Sequence, residues 1–494
     1  MKKIIYQLLP RLWNTGKFSG IDTGSLEYWK GLGVDFLWYT GILRHATAKK
    51  DEGCTPSHPQ IVKGEAGSPY AIYDYYDVNP YLADVPQSRM EEFVQLVERT
   101  HQAGMKVIID FIPNHVSRDN VNFGKTDNTA VHWAPENDFF YYPGQALQLP
   151  EPYGGQVFRE YPAKASGNSF SPAPALTDWY ETVKLNYCDF HTHTWDKMLD
   201  IVLFWARKGV DGFRCDMVEL VPPPFMRWLI AKIKEDFPSI VFIAEVYEKE
   251  KYRMYVEEVG FDLLYDKSGL YDTLRAVTCS GASAKGISWN WQFLGDLQPR
   301  MLNFLENHDE QRVASDFFCG KAEGGYAALA VSLLLNTAPF MLYFGQEIGE
   351  RGMDNEPFSG VNGRTSIFDW WTVASLQRLH QWIADKGTLT PEEDSVLKRY
   401  KELLALAKDP VFATGKTFDL CYCQEAGRFN QDRHYAFLRS DGHRCLLVIA
   451  NFGETGDISV RIPTEAIDYL GIKAVRTVYT ITVPEKDFML VEVQ

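Results

Sequence analysis

The alternation of strand-like and helix-like segments is the feature that most constrains the fold of this chain. Apolar runs of strand length occur eight times, at residues 4–9, 34–39, 105–112, 210–215, 240–246, 261–265, 301–305 and 340–344. Nearly continuous apolar runs are typical of parallel strands that are covered on both faces. Eight such units favour an α/β fold built on a closed (β/α)8 TIM barrel over a doubly wound open sheet, which is the competing architecture.

A helix between the second and third runs illustrates the pattern. Ser88 and Glu91 have the spacing of a capping box at a helix start. Apolar side chains then recur at i, i+3, i+4 and i+7, at Met90, Phe93, Val94 and Val97. Gly104 follows as a stop signal before the next strand. The segment therefore predicts an amphipathic helix within a β-α-β unit.

Two segments depart from this alternation. Residues 116–187 are rich in Pro, Gly, Asn and aromatic residues and contain no clear helix pattern. A connection of that length predicts an inserted domain after the third strand, since structureless loops are rarely so long. Residues 412–494 contain short β runs and predict a C-terminal antiparallel β-sandwich. The barrel would then comprise residues 1–115 and 188–411.

Charge and hydropathy exclude several classes of protein. A formal net charge of −15 disfavours a nucleic-acid partner, because an acidic surface repels phosphate backbones. No apolar run approaches the roughly 18 residues of a membrane span, and residues 4–9 are too short for a signal peptide. Several of the eight cysteines lie within apolar runs, which favours reduced thiols in a cytoplasmic protein. The sequence does not indicate an oligomeric state.

Carboxylates follow several of the predicted strands, where the chemistry of a barrel is located. Asp216 lies two residues after Arg214, on the same face of the strand, and the guanidinium favours an ionised carboxylate. Glu245 follows an apolar run, in a setting that would keep it protonated. Cleavage of a glycosidic bond with retention needs one carboxyl group in each state. A structural ion pair and a solvated strand end are the simpler explanations of each residue taken alone.

Taken together, these residues resemble the α-amylase family, glycoside hydrolase family 13. The four segments that carry the resemblance occur in the family's order, each at a predicted strand end, at residues 110–115, 212–216, 244–246 and 307–309. Three further segments also fit the family, at residues 70–80, 185–186 and 345–347. The resemblance covers residues 1 to about 385 and, more loosely, the C-terminal domain. It implies the same barrel, inserted domain and C-terminal β domain.

The resemblance also implies roles for individual residues. The nucleophile, the acid/base and the stabiliser of the transition state would be Asp216, Glu245 and Asp309. Four further side chains would orient the nucleophile or contact the cleaved sugar, namely Tyr70, His115, Arg214 and His308. We therefore expect a retaining α-glycosidase that acts on α-glucans or maltooligosaccharides through a covalent glycosyl-enzyme.

The sequence departs from the family at the calcium site that the resemblance implies. Asn114 matches a calcium ligand, but Lys184 stands where calcium-binding members have Asp, and Leu220 where they have His. Calcium requires six to eight oxygen ligands. We expect that no cofactor is required and that the Lys184 ammonium donates to Asn114 and to nearby carbonyls instead. A calcium site elsewhere is left open, and the sequence identifies no metal ligands.

Alternative functions share the same carboxylates. A 4-α-glucanotransferase, an α-1,6-glucosidase or a trehalose-forming isomerase of the family would pass through the same intermediate. Glu219 and Leu220 replace a Lys-His pair that many members carry after the nucleophile, so subsite preference cannot be inferred, and Met217, directly after the nucleophile, indicates no linkage. A binding subunit without activity is the remote alternative, disfavoured because all three carboxylates are present.

Overall fold

The computed structural model describes residues 2–50, 55–123, 127–131, 137–151, 157–188, 190–473 and 475–494. Within them, eight parallel strands form a closed barrel in which each strand pairs with its neighbours in sequence and β1 pairs with β8. The strands are Ile4–Leu8 (β1), Phe36–Tyr39 (β2), Lys106–Phe111 (β3), Gly212–Cys215 (β4), Val241–Ala244 (β5), Leu263–Tyr265 (β6), Met301–Phe304 (β7) and Phe340–Tyr343 (β8). The predicted (β/α)8 barrel is confirmed, and most strands are one to three residues shorter than their apolar runs.

The barrel strands are buried almost throughout, which explains their apolar composition. Helices cover the outside of the barrel. The longer ones are Thr23–Gly31 (α1), Arg89–Gln102 (α2), His193–Arg207 (α3), Pro223–Asp236 (α4), Asp272–Cys279 (α5), Lys285–Leu294 (α6), Tyr326–Leu334 (α7), Ala374–Ile383 (α8) and Pro391–Ala407 (α9). The connection between β5 and β6 has only short helical turns.

The start of α2 differs from the sequence prediction. Ser88 makes no side-chain capping bond, because a 3-10 turn at Pro86–Ser88 leads directly into the helix. The Glu92 carboxylate instead accepts the N–H groups of Asp84 and Val85, at 2.7 and 2.8 Å. Burial within the helix also shifts from the predicted face to Phe93, Leu96, Val97 and Thr100. The helix exists as predicted, but its capping box was wrong.

A short two-stranded antiparallel sheet holds the two ends of the insertion between β3 and α3 together. His115–Ser117 pairs with Thr182–Lys184, so that His115 lies opposite Lys184. Leu185 continues this contact by donating its N–H to the Asn114 carbonyl, at 2.9 Å. Both ends of the insertion are therefore held at the mouth of the barrel. The domain boundaries at residues 116 and 187 stay a prediction.

The C-terminal region is antiparallel, as predicted. A four-stranded sheet contains Lys416–Asp419 (β9), His434–Ser440 (β10), Cys445–Asn451 (β11) and Phe488–Glu492 (β14), in the order β9-β10-β11-β14. A second sheet pairs Gly456–Arg461 (β12) with Val478–Val483 (β13). Neither β13 nor the helix Thr464–Leu470 (α10) that precedes it was predicted from the sequence. The predicted boundary at residue 412 stays a prediction.

Seven of the eight cysteines lie within the described residues, and all seven are free thiols. Cys54 is outside the described residues. In the described part of the chain, no helix combines the length and the apolarity needed to cross a membrane.

Candidate active site

The predicted site residues converge at the ends of the barrel strands. The ladder continues one residue beyond β4 and β5, because Asp216 N–H donates to Phe111 O at 2.9 Å and Glu245 N–H donates to Cys215 O at 3.1 Å. These bonds fix the backbone of both acidic residues at the same level of the barrel. Asp309 follows β7 after five residues, and its N–H donates to the Asn307 side-chain oxygen at 2.8 Å.

Arg214 contacts both predicted catalytic carboxylates of this pair. One guanidinium nitrogen lies 2.5 Å from Asp216 Oδ1, and the other lies 2.8 Å from Glu245 Oε1. The Arg214 side chain is fully buried. Burial opposes its charge, but the Glu245 and Asp216 carboxylates outweigh burial and raise its pKa well above the usual value. Arg214 is therefore a fixed cation between two carboxyl groups.

Asp216 and Glu245 differ in their hydrogen bonds. Burial raises the pKa of Asp216 to about 8, against the opposing effect of Arg214. Glu245 accepts two further bonds, from Met217 N–H at 3.0 Å and from the Tyr247 hydroxyl at 2.8 Å. Hydrogen-bond donors therefore surround Glu245 in place of the apolar setting that the sequence predicts.

Asp309 is ionised by a different environment. Burial of the site acts to raise its pKa, but His308, Arg214 and Arg364 outweigh burial and lower the pKa to about 2. His308 Nε2 lies 3.1 Å from Asp309 Oδ2. Burial acts to lower the pKa of His308, but Asp309 and Asp110 raise it above its ordinary value. The Asp309 carboxylate therefore stays ionised beside Asp216.

Tyr70 and His115 complete the predicted set. The Tyr70 ring stacks on His308, with the centroids 5.2 Å apart, and its hydroxyl lies 2.6 Å from His308 Nε2. His115 is buried, and burial together with Lys184 and Lys63 lowers its pKa to about 3, so it is neutral. All seven predicted residues lie together at the strand ends, and six of them line one pocket beneath which Arg214 is buried.

The pocket has a volume of about 220 Å³ and contains side chains that the sequence analysis did not identify. They are Lys63, Trp179, Glu181, Tyr247 and Phe368, among others. Most stand on loops, where no periodicity indicates orientation. Tyr247 could have been found, since it lies two residues after Glu245 and period 2 places both on one side of an extended chain.

The residues at the implied calcium site do not fit that ion. Lys184 Nζ donates to Asn114 Oδ1 at 2.6 Å and to Leu220 O at 3.2 Å, the contacts that the sequence predicts. An ammonium therefore occupies the space where a cation would bind, and Leu220 offers no side-chain oxygen. Burial lowers the pKa of Lys184 to about 8, so it is mainly charged at neutral pH. Over the described residues, no cluster of three His, Cys, Asp or Glu side chains could hold a metal.

A family model for the alpha-amylase catalytic domain matches residues 11–409, which is most of the chain and includes every residue of the site. The chain belongs to the alpha-amylase family. The predicted family is confirmed, and with it the expectation of a glycosidase-type enzyme. Among curated relatives, Alpha-amylase 3 of Dictyoglomus thermophilum is 23% identical over 396 residues, which cover 77% of this chain and 71% of that protein.

Other relatives carry different activities in their names. The Probable oligo-1,6-glucosidase 3 of Bacillus subtilis is 26% identical over 446 residues, covering 78% of this chain and 70% of that protein. Several others match over only 35–44% of their own length. A solved cyclic alpha-maltosyl-(1→6)-maltose hydrolase from Arthrobacter globiformis has a TM-score of 0.68 at 17% identity and covers 99% of each chain. At that identity the likeness shows the shared fold.

Proposed function

We propose that this alpha-amylase family member is a retaining α-glycoside hydrolase of α-glucans or maltooligosaccharides. One observation carries the proposal most directly. Three carboxylates from different strand ends face one pocket, and one buried guanidinium contacts two of them. A structural ion pair would need only one carboxylate for Arg214. The third group, Asp309, is kept ionised by His308, which a solvated strand end would not require.

In the first step, Asp216 is the nucleophile and Glu245 the acid. The Asp216 carboxylate forms a bond to the anomeric carbon, the bond from that carbon to the glycosidic oxygen breaks, and the Glu245 proton moves to the leaving oxygen. In the second step, Glu245 takes a proton from water, the water oxygen bonds to the anomeric carbon, and Asp216 is released. Two inversions return the α configuration.

Arg214 fixes the relative position of the two groups. It contacts Asp216 Oδ1 at 2.5 Å and Glu245 Oε1 at 2.8 Å, while Met217 N–H and the Tyr247 hydroxyl donate to Glu245. The nucleophile reacts as the ionised Asp216, and Arg214 opposes the rise in the pKa of Asp216 that burial causes.

Asp309 would stabilise positive charge on the sugar ring. An anion with a pKa near 2 stays charged throughout turnover, and a fixed charge in a pocket stabilises opposite charge as it develops. Neutral His115 can accept or donate a hydrogen bond to a hydroxyl without adding charge. Tyr70 presents its ring to the same pocket, which suits the stacking of a sugar face.

Product analysis tests the proposal. Maltose, maltoheptaose, pullulan and isomaltose should be incubated separately and their products resolved over time. Hydrolysis gives shorter sugars and one reducing end per bond, whereas a transferase gives longer products and an isomerase gives a non-reducing disaccharide. We expect hydrolysis with early formation of the α anomer, followed by NMR. Early β anomer would contradict the retaining mechanism, and turnover of none of the four would contradict the proposed function.

We also propose a cytoplasmic location. Free thiols are typical of reducing compartments, and all seven described cysteines are free. Fractionation of the producing cells, with an enzyme assay of each fraction, tests the location. Activity mainly in the medium or with membranes would contradict it.

A further inference from the structure

A buried ion pair, Lys63 with Glu181, lies in the pocket wall and has no part in the chemistry above. Lys63 Nζ is 3.1 Å from Glu181 Oε1, and the two side chains are 17% and 4% exposed. Burial raises the pKa of Glu181, and Lys63 and Arg118 offset only part of that effect. Charges are seldom buried in a pocket wall without a function, because their desolvation is costly.

Both residues are held firmly by the surrounding chain. Glu181 directly precedes the strand Thr182–Lys184, which pairs with the segment carrying His115. Lys63 stands beside Gly64, where φ is +66° and a Cβ would collide with the Phe368 carbonyl oxygen. The pair therefore joins the loop after β2, the insertion and the loop after β8. A side chain fixed from three directions can act as a rigid recognition group.

The second oxygen of Glu181 is not used within the protein. Oε2 is buried and has no hydrogen-bond partner among the described residues, although Glu181 lines the pocket. A buried acceptor left without a partner costs about 1–3 kcal/mol. A ligand that donates a hydrogen bond would remove this cost. A neutral sugar hydroxyl fits, whereas a phosphate group would be repelled by the carboxylate.

The pocket has two distinct ends. Tyr247 and Met217 bind Glu245, the proposed acid, and so mark the end where the leaving sugar departs. Trp179 lies against His115, with ring centroids 5.0 Å apart, and belongs to the same segment as Glu181. The ion pair thus belongs to the wall beside His115, which contains none of the groups that bind the acid. In a glucan, the side away from the leaving group is the non-reducing side.

We propose that Glu181, held by Lys63, binds a hydroxyl of the terminal non-reducing sugar and closes the pocket there, so that the enzyme cleaves from chain ends. The volume of about 220 Å³ supports this, since it is below the roughly 300–1,000 Å³ typical of pockets for drug-sized ligands. Such a pocket suits one or two sugar rings and leaves little room for a chain that continues past Glu181. The inference rests on the proposed glycosidase function and names its substrate class.

Blocked substrates test the chain-end specificity on the wild-type protein. Nitrophenyl maltoheptaoside should be compared with the same compound carrying an ethylidene bridge over the terminal 4- and 6-hydroxyls, and the loss of each substrate should be followed by chromatography of stopped samples. We expect the blocked compound to react at least about 100-fold more slowly, because the bridge removes donors that the site must satisfy. Equal rates within threefold would overturn the proposal while leaving the proposed function intact.

The variant E181Q tests the residue itself. We expect kcat/KM for unblocked maltotriose to fall roughly 10- to 100-fold, the usual range for the loss of a hydrogen bond to a charged group. E160Q is the matched control, since Glu160 also pairs with a buried cation of the insertion, Arg118, at 2.9 Å, but does not line the pocket. It should retain the wild-type kcat/KM within threefold. Equal losses in the two variants would assign Glu181 a merely structural role.

A panel of maltotrioses that each lack one hydroxyl of the terminal sugar completes the test. One member should be a poor substrate for the wild type and should show no further loss with E181Q, because the two changes remove the same bond. The comparison is a ratio within each protein and does not depend on the folded fraction. Independent losses for every member would overturn the assignment. Failure of the wild type on all of these sugars would instead contradict the proposed function.

Discussion

Two cations lie at the mouth of this barrel, and they have opposite environments. Arg214 lies in β4, is fully buried and contacts two carboxylates, at 2.5 and 2.8 Å. Lys184, the last residue of the strand Thr182–Lys184, is partly buried and contacts two neutral oxygens, of Asn114 and Leu220. The pKa of Arg214 is raised well above its usual value, whereas burial lowers that of Lys184 to about 8.

The two cations therefore have different roles, Arg214 in the reaction and Lys184 in the stability of the fold. A cation that contacts two carboxylates fixes their relative position, which a catalytic centre needs. Lys184 donates to two neutral amide oxygens, and these bonds join three parts of the chain: the barrel, the insertion and the loop after β4. Variants of the first cluster should therefore change rate, and variants of the second should change stability.

The largest expected effect comes from the variant D216N. A neutral amide cannot attack the anomeric carbon, so kcat/KM on maltooligosaccharides should fall at least about 10⁴-fold. The melting temperature should stay close to that of the wild type, since Arg214 keeps Glu245 as a partner.

A matched control for D216N is D262N. Asp262 also accepts a strand N–H, from Phe242, and pairs with a cation, Lys234, but it does not line the pocket. D262N should keep its rate and lose some stability. Activity of D216N within tenfold of the wild type would refute its role as the nucleophile.

The next effect concerns E245Q, which removes the acid and keeps the size of the side chain. Turnover of natural glucans should fall by about 10²–10⁴-fold, the usual contribution of general acid–base catalysis. α-Glucosyl fluoride should still form a glycosyl-enzyme at a rate near that of the wild type, because fluoride needs little protonation to leave. Mass spectrometry of the quenched protein would detect the adduct. Equal losses on both substrates would argue against an acid.

A smaller effect is expected from pH. Burial raises the pKa of Asp216 to about 8 against the opposing effect of Arg214, and the nucleophile reacts only when it is ionised. The value of kcat/KM should therefore rise by up to about tenfold per pH unit below about pH 8. The same rise should persist when E245Q reacts with glucosyl fluoride, since that reaction still needs the Asp216 anion. A wild-type profile that stays flat over the two units below that value would contradict the raised pKa of Asp216.

The sequence was sufficient to predict the centre of this site because its residues end strands. The apolar runs before Asp216 and Glu245 specified buried parallel strands, and the strand ends of a barrel meet at one face. The pocket wall was different. Lys63 and Glu181 lie on segments without periodicity, and they meet only because Gly64 packs against Phe368 and the insertion folds back on His115. No local pattern encodes such a contact.

Two errors in the fold have similar causes. The capping box predicted at Ser88 does not form, because Pro86 starts a 3-10 turn two residues earlier. Glu92 instead accepts the N–H groups of Asp84 and Val85, which precede the helix. The strand β13 was missed because half of its side chains are exposed, and it pairs with only one strand. Local spacing predicted well where burial was complete and poorly where one face or one end was open to solvent.

The variant K184M should affect stability more than rate. It leaves the buried Asn114 Oδ1 without this donor, and an unpaired buried acceptor costs about 1–3 kcal/mol. Calorimetry should show a lower melting temperature. K398M is the control, because Lys398 forms an exposed pair within α9 and should change stability by less than about 0.5 kcal/mol. A loss of kcat in K184M as large as in E245Q would contradict the separation of the two clusters.

The smallest expected effect is that of a chelator, and it tests whether Lys184 replaces calcium. A calcium ion present at 100 times its Kd would add about 2.7 kcal/mol to stability, which a melting curve resolves easily. An ammonium at 2.6 Å from Asn114 Oδ1 repels a divalent cation from the same oxygen. We therefore expect EDTA to change neither the melting temperature nor the activity of the wild type. A drop in the melting temperature that calcium reverses would show that the metal binds, and if K184M keeps that drop, that it binds at a site separate from Lys184.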